Sequence, residues 1–225
     1  AVTGDGGILL GGGSWQFMRL RSTGNTFTGP ITINVNQDQS FECNSLADST
    51  NAITTTTGCD SAYWFTYQCS SGSEQVTSPL TLNNRQFILG NTGTYVYYGF
   101  YIRNNAANPA NIITINTDLG IIDSGSPVRR LRLGGSNTGT NTFAGRIANG
   151  TTSVVCVYKE EGGTWALSGT NTYSGETTIS GGVLELGGAG VLGGGAYAPN
   201  LVNNATLRFN STANQTLSGV ISGTG

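Results

Sequence analysis

The sequence contains no histidine among its 225 residues, and Lys159 is its only lysine. Without histidine, a Ser-His-Asp triad, a Cys-His pair and most metal sites are excluded. The acidic residues are scattered, and their near-neighbours include Asp118 with Asp123 and Glu160 with Glu161. Both pairs lie at glycine-containing turns, so they are interpreted as solvated rather than as the converging carboxylates of a glycosidase. The sequence predicts no catalytic residue, metal site or cofactor.

Charge is also scarce. Charged residues make up 10% of the chain, against roughly 25% in an average soluble protein. The densest basic cluster is Arg129, Arg130 and Arg132, which is too small for the concentrated positive face that nucleic-acid binding needs. No apolar run approaches the ~20 residues of a membrane span, and the Ile8-Leu9-Leu10 triplet is far too short for one. Neither a nucleic-acid partner nor a membrane span is therefore predicted.

Small neutral residues take the place of the missing charges. The chain has 35 glycines and only 5 prolines, with abundant Thr, Ser and Asn, and its hydrophobic share of 37% is too high for a disordered segment. It therefore buries a core under a neutral polar surface. Its length favours one domain, residues 1–225.

The four cysteines form no CxxC pair, which argues against zinc. An even number of cysteines in such a chain favours disulfides formed in an oxidising compartment, and four buried thiols are the alternative. The candidates are Cys43, Cys59, Cys69 and Cys156. At least one disulfide is predicted among the first three, while Cys156 lies in an apolar strand pattern that also fits a lone core thiol.

One phrase, Asn-Thr-aromatic-x-Gly, occurs three times, beginning at Asn25, Asn141 and Asn171. It alternates with short segments of period-2 hydrophobicity that are typical of strands, and glycine or serine follows nearly every one. No helical stripe is present, so the fold class is all-β. The residues predicted to face the core are Leu131, Leu133, Leu167, Leu184, Leu186, Leu207 and Phe209.

The spacing of these segments distinguishes a parallel β-helix from a sandwich. From Trp165 to Leu184 is 19 residues and from Leu184 to Leu207 is 23, about one β-helix coil each. The two-residue hairpin signal Asn-Gly is almost absent, occurring only at Asn149-Gly150. At about 20–25 residues per coil, about nine to eleven coils are predicted.

Residues 164–188, TWALSGTNTYSGETTISGGVLELGG, resemble the autotransporter passenger-associated β-strand repeat. The resemblance implies a right-handed parallel β-helix, extracellular or on a bacterial cell surface, in which the repeat forms a shaft and does not itself specify an activity. The predicted function is a structural or adhesive surface protein, either a shaft or a self-associating fibre subunit. The alternative is a polysaccharide lyase or glycoside hydrolase on the same scaffold.

Residues 37–80 match nothing in the repeat and are predicted to be an insertion or a cap. They contain three cysteines and the aromatic cluster Tyr63, Trp64, Phe65 and Tyr67. This cluster is either an exposed platform for glycans or protein, or a cap that folds inward over the first coil, and the cap is favoured because exposed aromatic clusters are rare. A second aromatic run, residues 95–102, alternates like a strand and is assigned to the core.

Assembly is predicted from the two ends of the sequence. The last residues, 217–225, are similar to the start of another repeat, so either further repeats follow or another subunit covers an open strand edge. The candidate contact residues are Ile8, Leu9, Leu10, Val220 and Ile221. Head-to-tail contacts between such ends do not close, so filaments are expected.

Overall fold

A computed structural model describes residues 1–12, 16–35, 39–55, 63–68, 75–90, 99–123 and 127–225. The described residues form strands joined by short corners, with one three-residue 3-10 helix, Gly193–Gly195. In these ranges no helix is long and apolar enough to cross a membrane. The all-β prediction is confirmed.

The strands are short because glycine-rich corners interrupt them every few residues. In chain order they are β1 (Thr3–Gly4), β2 (Ile8–Gly12), β3 (Gln16–Leu20), β4 (Thr26–Phe27), β5 (Ile31–Val35), β6 (Gln39–Cys43), β7 (Ile53–Thr55), β8 (Tyr63–Tyr67), β9 (Leu80–Leu82), β10 (Phe87–Leu89), β11 (Phe100–Asn104), β12 (Ile113–Ile115), β13 (Gly120–Ile121), β14 (Val128–Gly134), β15 (Thr140–Phe143), β16 (Val154–Lys159), β17 (Thr164–Leu167), β18 (Thr177–Ile179), β19 (Val183–Gly188), β20 (Ala196–Tyr197), β21 (Leu201–Asn203), β22 (Thr206–Ser211), β23 (Thr216–Leu217) and β24 (Ile221–Ser222).

These strands form three faces, and each coil visits them in turn. Face 1 is a nine-stranded sheet in the order β3-β6-β8-β11-β14-β16-β18-β21-β24. Face 2 is the six-stranded sheet β9-β12-β15-β17-β19-β22. In the earlier coils the two-stranded sheet β1-β4 takes the place of face 2. Face 3 is the five-stranded sheet β2-β5-β7-β10-β13. In the later coils the two-stranded sheet β20-β23 takes the place of face 3. Every strand pairing in the described ranges is parallel, so the chain is a parallel β-helix.

Coil length varies along the shaft. Tyr63 pairs with Phe100, 37 residues later, whereas Val157 pairs with Thr177, only 20 residues later. The predicted coil of about 20–25 residues therefore fits the later coils, while earlier coils carry longer corners. Face 1 has nine strands in the described ranges, and a spacing of about 4.8 Å makes this stack about 38 Å long.

The core is one continuous column of inward-facing side chains. Phe41, Phe65, Phe87 and Phe100 follow one another with ring centroids 6.1, 5.1 and 5.5 Å apart. Five of the seven predicted core residues are buried, namely Leu131, Leu133, Leu167, Leu184 and Leu186.

The last coil departs from the prediction. Leu207 is partly buried, and Phe209 is 56% exposed, so the prediction is wrong for Phe209. Phe209 pairs with buried Leu186 in the strand before. Its own strand, β22, is the edge of face 2, so no further described strand covers its ring.

The asparagine of the repeated phrase joins one coil to the next. The Asn141 side-chain oxygen accepts from the Ile113 amide at 2.9 Å, in the coil before, and its Nδ2 donates to the Thr164 carbonyl at 3.0 Å, in the coil after. Asn171 repeats this arrangement with Ile147 and Val191. Because a buried amide must be paired, these asparagines fix the register of three successive coils.

The aromatic residue and the glycine of the phrase have separate roles. Phe27, Phe143 and Tyr173 are all buried in the core. The glycine stands where a side chain would collide with the preceding coil, since a Cβ on Gly145 would lie 1.8 Å from the Thr117 carbonyl oxygen. The equivalent distances at Gly29 and Gly175 are 1.9 and 2.2 Å. The phrase is therefore a coil-stacking device.

Parts of residues 37–80 contribute regular strands. β6 and β8 lie in face 1, and β7 lies in face 3. Residues 36–38, 56–62 and 69–74 lie outside the described ranges, so the bounds of an insertion or cap stay a prediction.

Candidate functional site

The predicted aromatic cluster is divided between the two sides of β8. Phe65 and Tyr67 face inward and are buried, and the Tyr67 hydroxyl donates to the Ser78 carbonyl at 2.6 Å. Trp64 is half-buried on the outer side. The side chain of Tyr63 lies outside the described part of the chain. Alternation along one strand thus leaves Trp64 as the described member of the cluster that a ligand could reach.

Trp64 belongs to a column of large side chains on the outer side of face 1. The strand register places Trp64 beside Tyr101, Tyr101 beside Arg132, and Arg132 beside Tyr158. These four residues lie on β8, β11, β14 and β16, and we call them the outer ladder. Residues at like positions of successive parallel strands lie about 4.8 Å apart. The second aromatic run, residues 95–102, is predicted to lie in the core. Phe100 and Ile102 do lie there, whereas Tyr101 lies in the outer ladder. Residues 95–98 lie outside the described ranges.

Guanidinium groups lie against the rings of the outer ladder. The Arg103 guanidinium carbon is 5.8 Å from the Trp64 ring centroid and 5.4 Å from that of Tyr101. The guanidinium carbon of Arg132 is 5.1 Å from the Tyr101 ring centroid. Each distance is within the range of a cation–π contact. Gly134 leaves room for the Tyr101 ring, because a Cβ there would lie 2.8 Å from it.

Two adjacent carboxylates hold these arginines in place. One Arg132 nitrogen donates to both Glu160 oxygens, at 2.6 and 2.8 Å, and Arg103 Nε donates to Glu161 at 3.1 Å. The Tyr101 hydroxyl hydrogen-bonds to the Glu160 carboxylate. Burial first, and then this carboxylate, raise the pKa of Tyr101 far above its ordinary value, so the hydroxyl stays protonated.

The corner that carries the carboxylates is fixed from the inside by Lys159. This side chain is fully buried, and its Nζ donates to the carbonyls of Glu160, Glu161 and Gly181 at 2.7, 2.9 and 2.8 Å. Burial lowers the pKa of Lys159 to about 8, although the neighbouring carboxylates oppose the shift. Glu161 has a φ of 58°, a left-handed conformation that costs a non-glycine residue energy. The lysine contacts stabilise that conformation.

The acidic pair Asp118 and Asp123 is held by contacts with neighbouring loop residues. Asp118 forms an ion pair with Arg146 at 3.3 Å. Asp123 accepts from the hydroxyls of Ser153 and Thr151, and these bonds hold its pKa well below the ordinary value. Within the described ranges no three Cys, Asp or Glu residues lie close enough to bind a metal ion.

The arginine cluster of β14 is also divided by alternation. Arg129 is fully buried and donates to the Ile122 carbonyl at 2.9 Å, whereas Arg132 points outward. The cluster therefore does not form a single positive surface.

The cysteines differ in setting. Cys156 is a buried free thiol on β16, and burial raises its pKa. Cys43 is fully buried on β6. Cys59 and Cys69 lie outside the described ranges, so the disulfide stays a prediction.

The predicted assembly residues lie on edge strands. Leu10 is buried and Ile8 partly buried, whereas Leu9 is 68% exposed. A cavity of about 200 Å³ beside them is lined by Leu9, Leu10, Gly11, Phe17 and Met18. On β24 and just before it, Ile221 and Val220 are 56% and 65% exposed.

Comparison with known proteins agrees with the repeat pattern. The family model described as Passenger-associated-transport-repeat matches residues 158–186, from the end of β16 into β19. The chain is also similar to the Adhesin BmaC autotransporter of Brucella suis biovar 1 (strain 1330), with 33% identity over 89 residues. That match covers 40% of this chain and 2% of the relative, so the chain spans only a small part of it. No solved structure matches significantly.

These similarities confirm the predicted resemblance. The chain carries an autotransporter passenger repeat, and this indicates a secreted protein of the bacterial cell surface.

Proposed function

We propose that the chain is an adhesive, non-enzymatic passenger segment, a β-helical shaft that displays binding surfaces outside the cell. The observation that carries the proposal is the passenger repeat at residues 158–186, together with similarity to a protein named an adhesin. The repeat occupies regular coils of the shaft, so the sequence match and the architecture describe the same structure.

A shaft of this kind suits adhesion for a physical reason. Each coil contacts only its neighbours, so stacked coils make a rod whose length grows with the number of repeats. The inter-coil hydrogen bonds of Asn141 and Asn171 and the continuous core stiffen that rod. A stiff rod holds its outer faces away from the cell on which it is anchored.

The described acidic groups support a non-enzymatic role. Asp118, Asp123, Glu160 and Glu161 each bind a neighbouring arginine, hydroxyl or amide in the same structure. General acid–base catalysis needs a carboxyl poised near the operating pH. The low pKa of Asp123 is the opposite of what an acid catalyst requires.

Surface display tests the proposal directly. The chain would be displayed on a non-adherent laboratory bacterium, and retention of the cells on epithelial monolayers would be counted against the same strain carrying the display anchor alone. We expect a severalfold gain in retention at equal surface levels. No gain, with the chain detected on the surface, would contradict the adhesive function. Release of shortened products from pectin or alginate would instead favour the lyase or hydrolase.

Self-association is a finer part of the proposal. Leu9 and Phe17 are exposed on edge strands at one end of the stack, and Val220 and Ile221 at the other. Exposed edges pair readily with further strands, from a second copy or from further repeats of the same polypeptide. Deletion of residues 1–13 should abolish any fibres seen by electron microscopy, whereas undiminished fibres would show that this segment is not the connector.

A further inference from the structure

The outward aromatic rings of successive strands are concentrated on face 1. On face 2 the equivalent outward column begins with Thr81, Thr114 and Thr142 and continues with Ala166 and the ion pair of Glu185 and Arg208. On face 3, Thr32 lies beside Thr54. The outer ladder, in contrast, has three aromatic rings and an arginine in four successive strands. Stacking of coils alone does not require this difference, because the threonine columns stack without it.

The ladder is held rigid before any ligand arrives. Arg103 and Arg132 are each fixed by a carboxylate, and their side chains keep 25% and 17% of their surface exposed. Glu161 is fixed in turn by the Gly135 amide. Trp64 and Tyr158 flank this network and are half-buried. Binding would therefore cost little side-chain entropy.

From this arrangement we propose that the outer ladder binds an uncharged, hydroxyl-rich glycan chain that runs along the shaft. This inference rests on the proposed adhesive function and names the ligand class. The exposed parts of the Trp64 and Tyr158 rings offer apolar contact to the C–H face of a pyranose ring. The guanidinium of Arg132 and the Glu160 carboxylate supply fixed donors and acceptors for neighbouring hydroxyls.

The periodicity of the shaft fits a polymer. Ladder residues repeat at about 4.8 Å along the axis, a spacing comparable to the length of one sugar unit. Each successive unit of an extended chain therefore meets the next coil. Four coils, from Trp64 to Tyr158, give room for about four units.

Charge favours a neutral glycan over an anionic polymer. Arg103 and Arg132 each face a carboxylate, so the network presents little net positive field. Polyanion binding depends on positive charges that are free to replace counterions. Acidic glycans should therefore bind no better than neutral ones.

The test uses immobilised neutral oligosaccharides of glucose and mannose, two to six units long, beside oligosaccharides that contain uronic or sialic acid. We expect binding to neutral chains that strengthens up to about four units, and a loss of about tenfold or more in Trp64→Ala and in Tyr158→Ala. Thr114→Ala, on face 2, is the matched control and should bind like the wild type. Circular dichroism verifies that each variant is folded.

A second readout is tryptophan fluorescence. The chain has three tryptophans, of which Trp165 is fully buried. A fluorescence change on adding a neutral tetrasaccharide that persists in Thr114→Ala and disappears in Trp64→Ala assigns the contact to the ladder. Preference for acidic chains, or equal binding by all variants, would overturn the proposal. The wild-type chain could also show adhesion without any glycan binding, and protease treatment of the monolayer could remove that adhesion. This result would overturn the glycan proposal but leave the adhesive function in place. Absence of both glycan binding and adhesion in the wild-type chain would overturn both the glycan proposal and the adhesive function.

Discussion

Removal of the Asn141 side chain should destabilise the fold far more than its size suggests. The side chain is fully buried and makes four hydrogen bonds. It accepts from Ile113 N and from Asn104 Nδ2, at 2.9 and 2.6 Å, and it donates to the carbonyls of Thr164 and Gly139, at 3.0 and 3.3 Å. In Asn141→Ala a methyl group replaces the amide that makes all four bonds.

The magnitude follows from the groups left behind. Each buried donor that loses its partner costs about 1–3 kcal/mol. Two donors are affected, the Ile113 amide and one Asn104 side-chain N–H, and the carbonyls lose one acceptor interaction each. We therefore expect Asn141→Ala to lower the free energy of unfolding by about 3–5 kcal/mol.

Equilibrium unfolding in guanidinium chloride measures this loss. Trp165 pairs with Asn141 in the next coil, so its fluorescence reports on the coil that is perturbed. Circular dichroism reports on the whole shaft, and coincident transitions would justify a single free energy. The matched control is Thr142→Ala, one residue along on the outer side of β15, which should cost less than about 0.5 kcal/mol.

The reasoning fails if Asn141→Ala costs less than about 1 kcal/mol, because the four hydrogen bonds would then be replaceable by water. Asn171→Ala offers an internal check. It removes the same bonds between coils, to Ile147 and Val191, and should be destabilised by a similar amount.

Three further outcomes follow from the same structure. Gly145→Ala places a Cβ 1.8 Å from the Thr117 carbonyl oxygen and should lower the unfolding midpoint sharply. Gly162→Ala is the control, because a Cβ there has no atom within 4 Å, and equal midpoints for the two variants would contradict this prediction. Burial lowers the pKa of Lys159 to about 8, below its ordinary value of 10.5, so the unfolded state holds more protons between these two values. Wild-type stability should therefore rise with pH across that window relative to Lys159→Met, by up to about 3 kcal/mol. Parallel stability curves would refute that account. Mass spectrometry of the unreduced protein should show at least one disulfide among Cys43, Cys59 and Cys69, and four free thiols would refute this prediction.

The alternating segments supported most of what the sequence could predict. Their spacing predicted parallel stacking, and their alternation predicted five of the seven core positions correctly. Both depend on local rules, since period-2 alternation assigns a side of the sheet without knowledge of the rest of the fold. The same rule, applied to Phe209, failed, because burial also requires a strand on the far side, and β22 is an edge strand.

The outer ladder, unlike the core positions, could not be predicted from local sequence patterns. Trp64 was singled out in the sequence, but Tyr101, Arg132 and Tyr158 are 37, 68 and 94 residues away from it. Only coil lengths decide which residues share a column, and these vary between 19 and 37 residues within the same shaft. A shift of one residue in the register of a strand would move its side chains to the opposite side of the sheet.

The sequence by itself thus determined the class of fold and the inward or outward side of most strand residues, because these depend on local alternation and on the repeated Asn and Gly. It also identified the passenger repeat. The tertiary structure decided which distant side chains meet, since irregular corners set the register between coils. The pairing of Arg132 with Glu160 beneath the Tyr101 hydroxyl, and the burial of Lys159 against three carbonyls, exist only once that register is fixed.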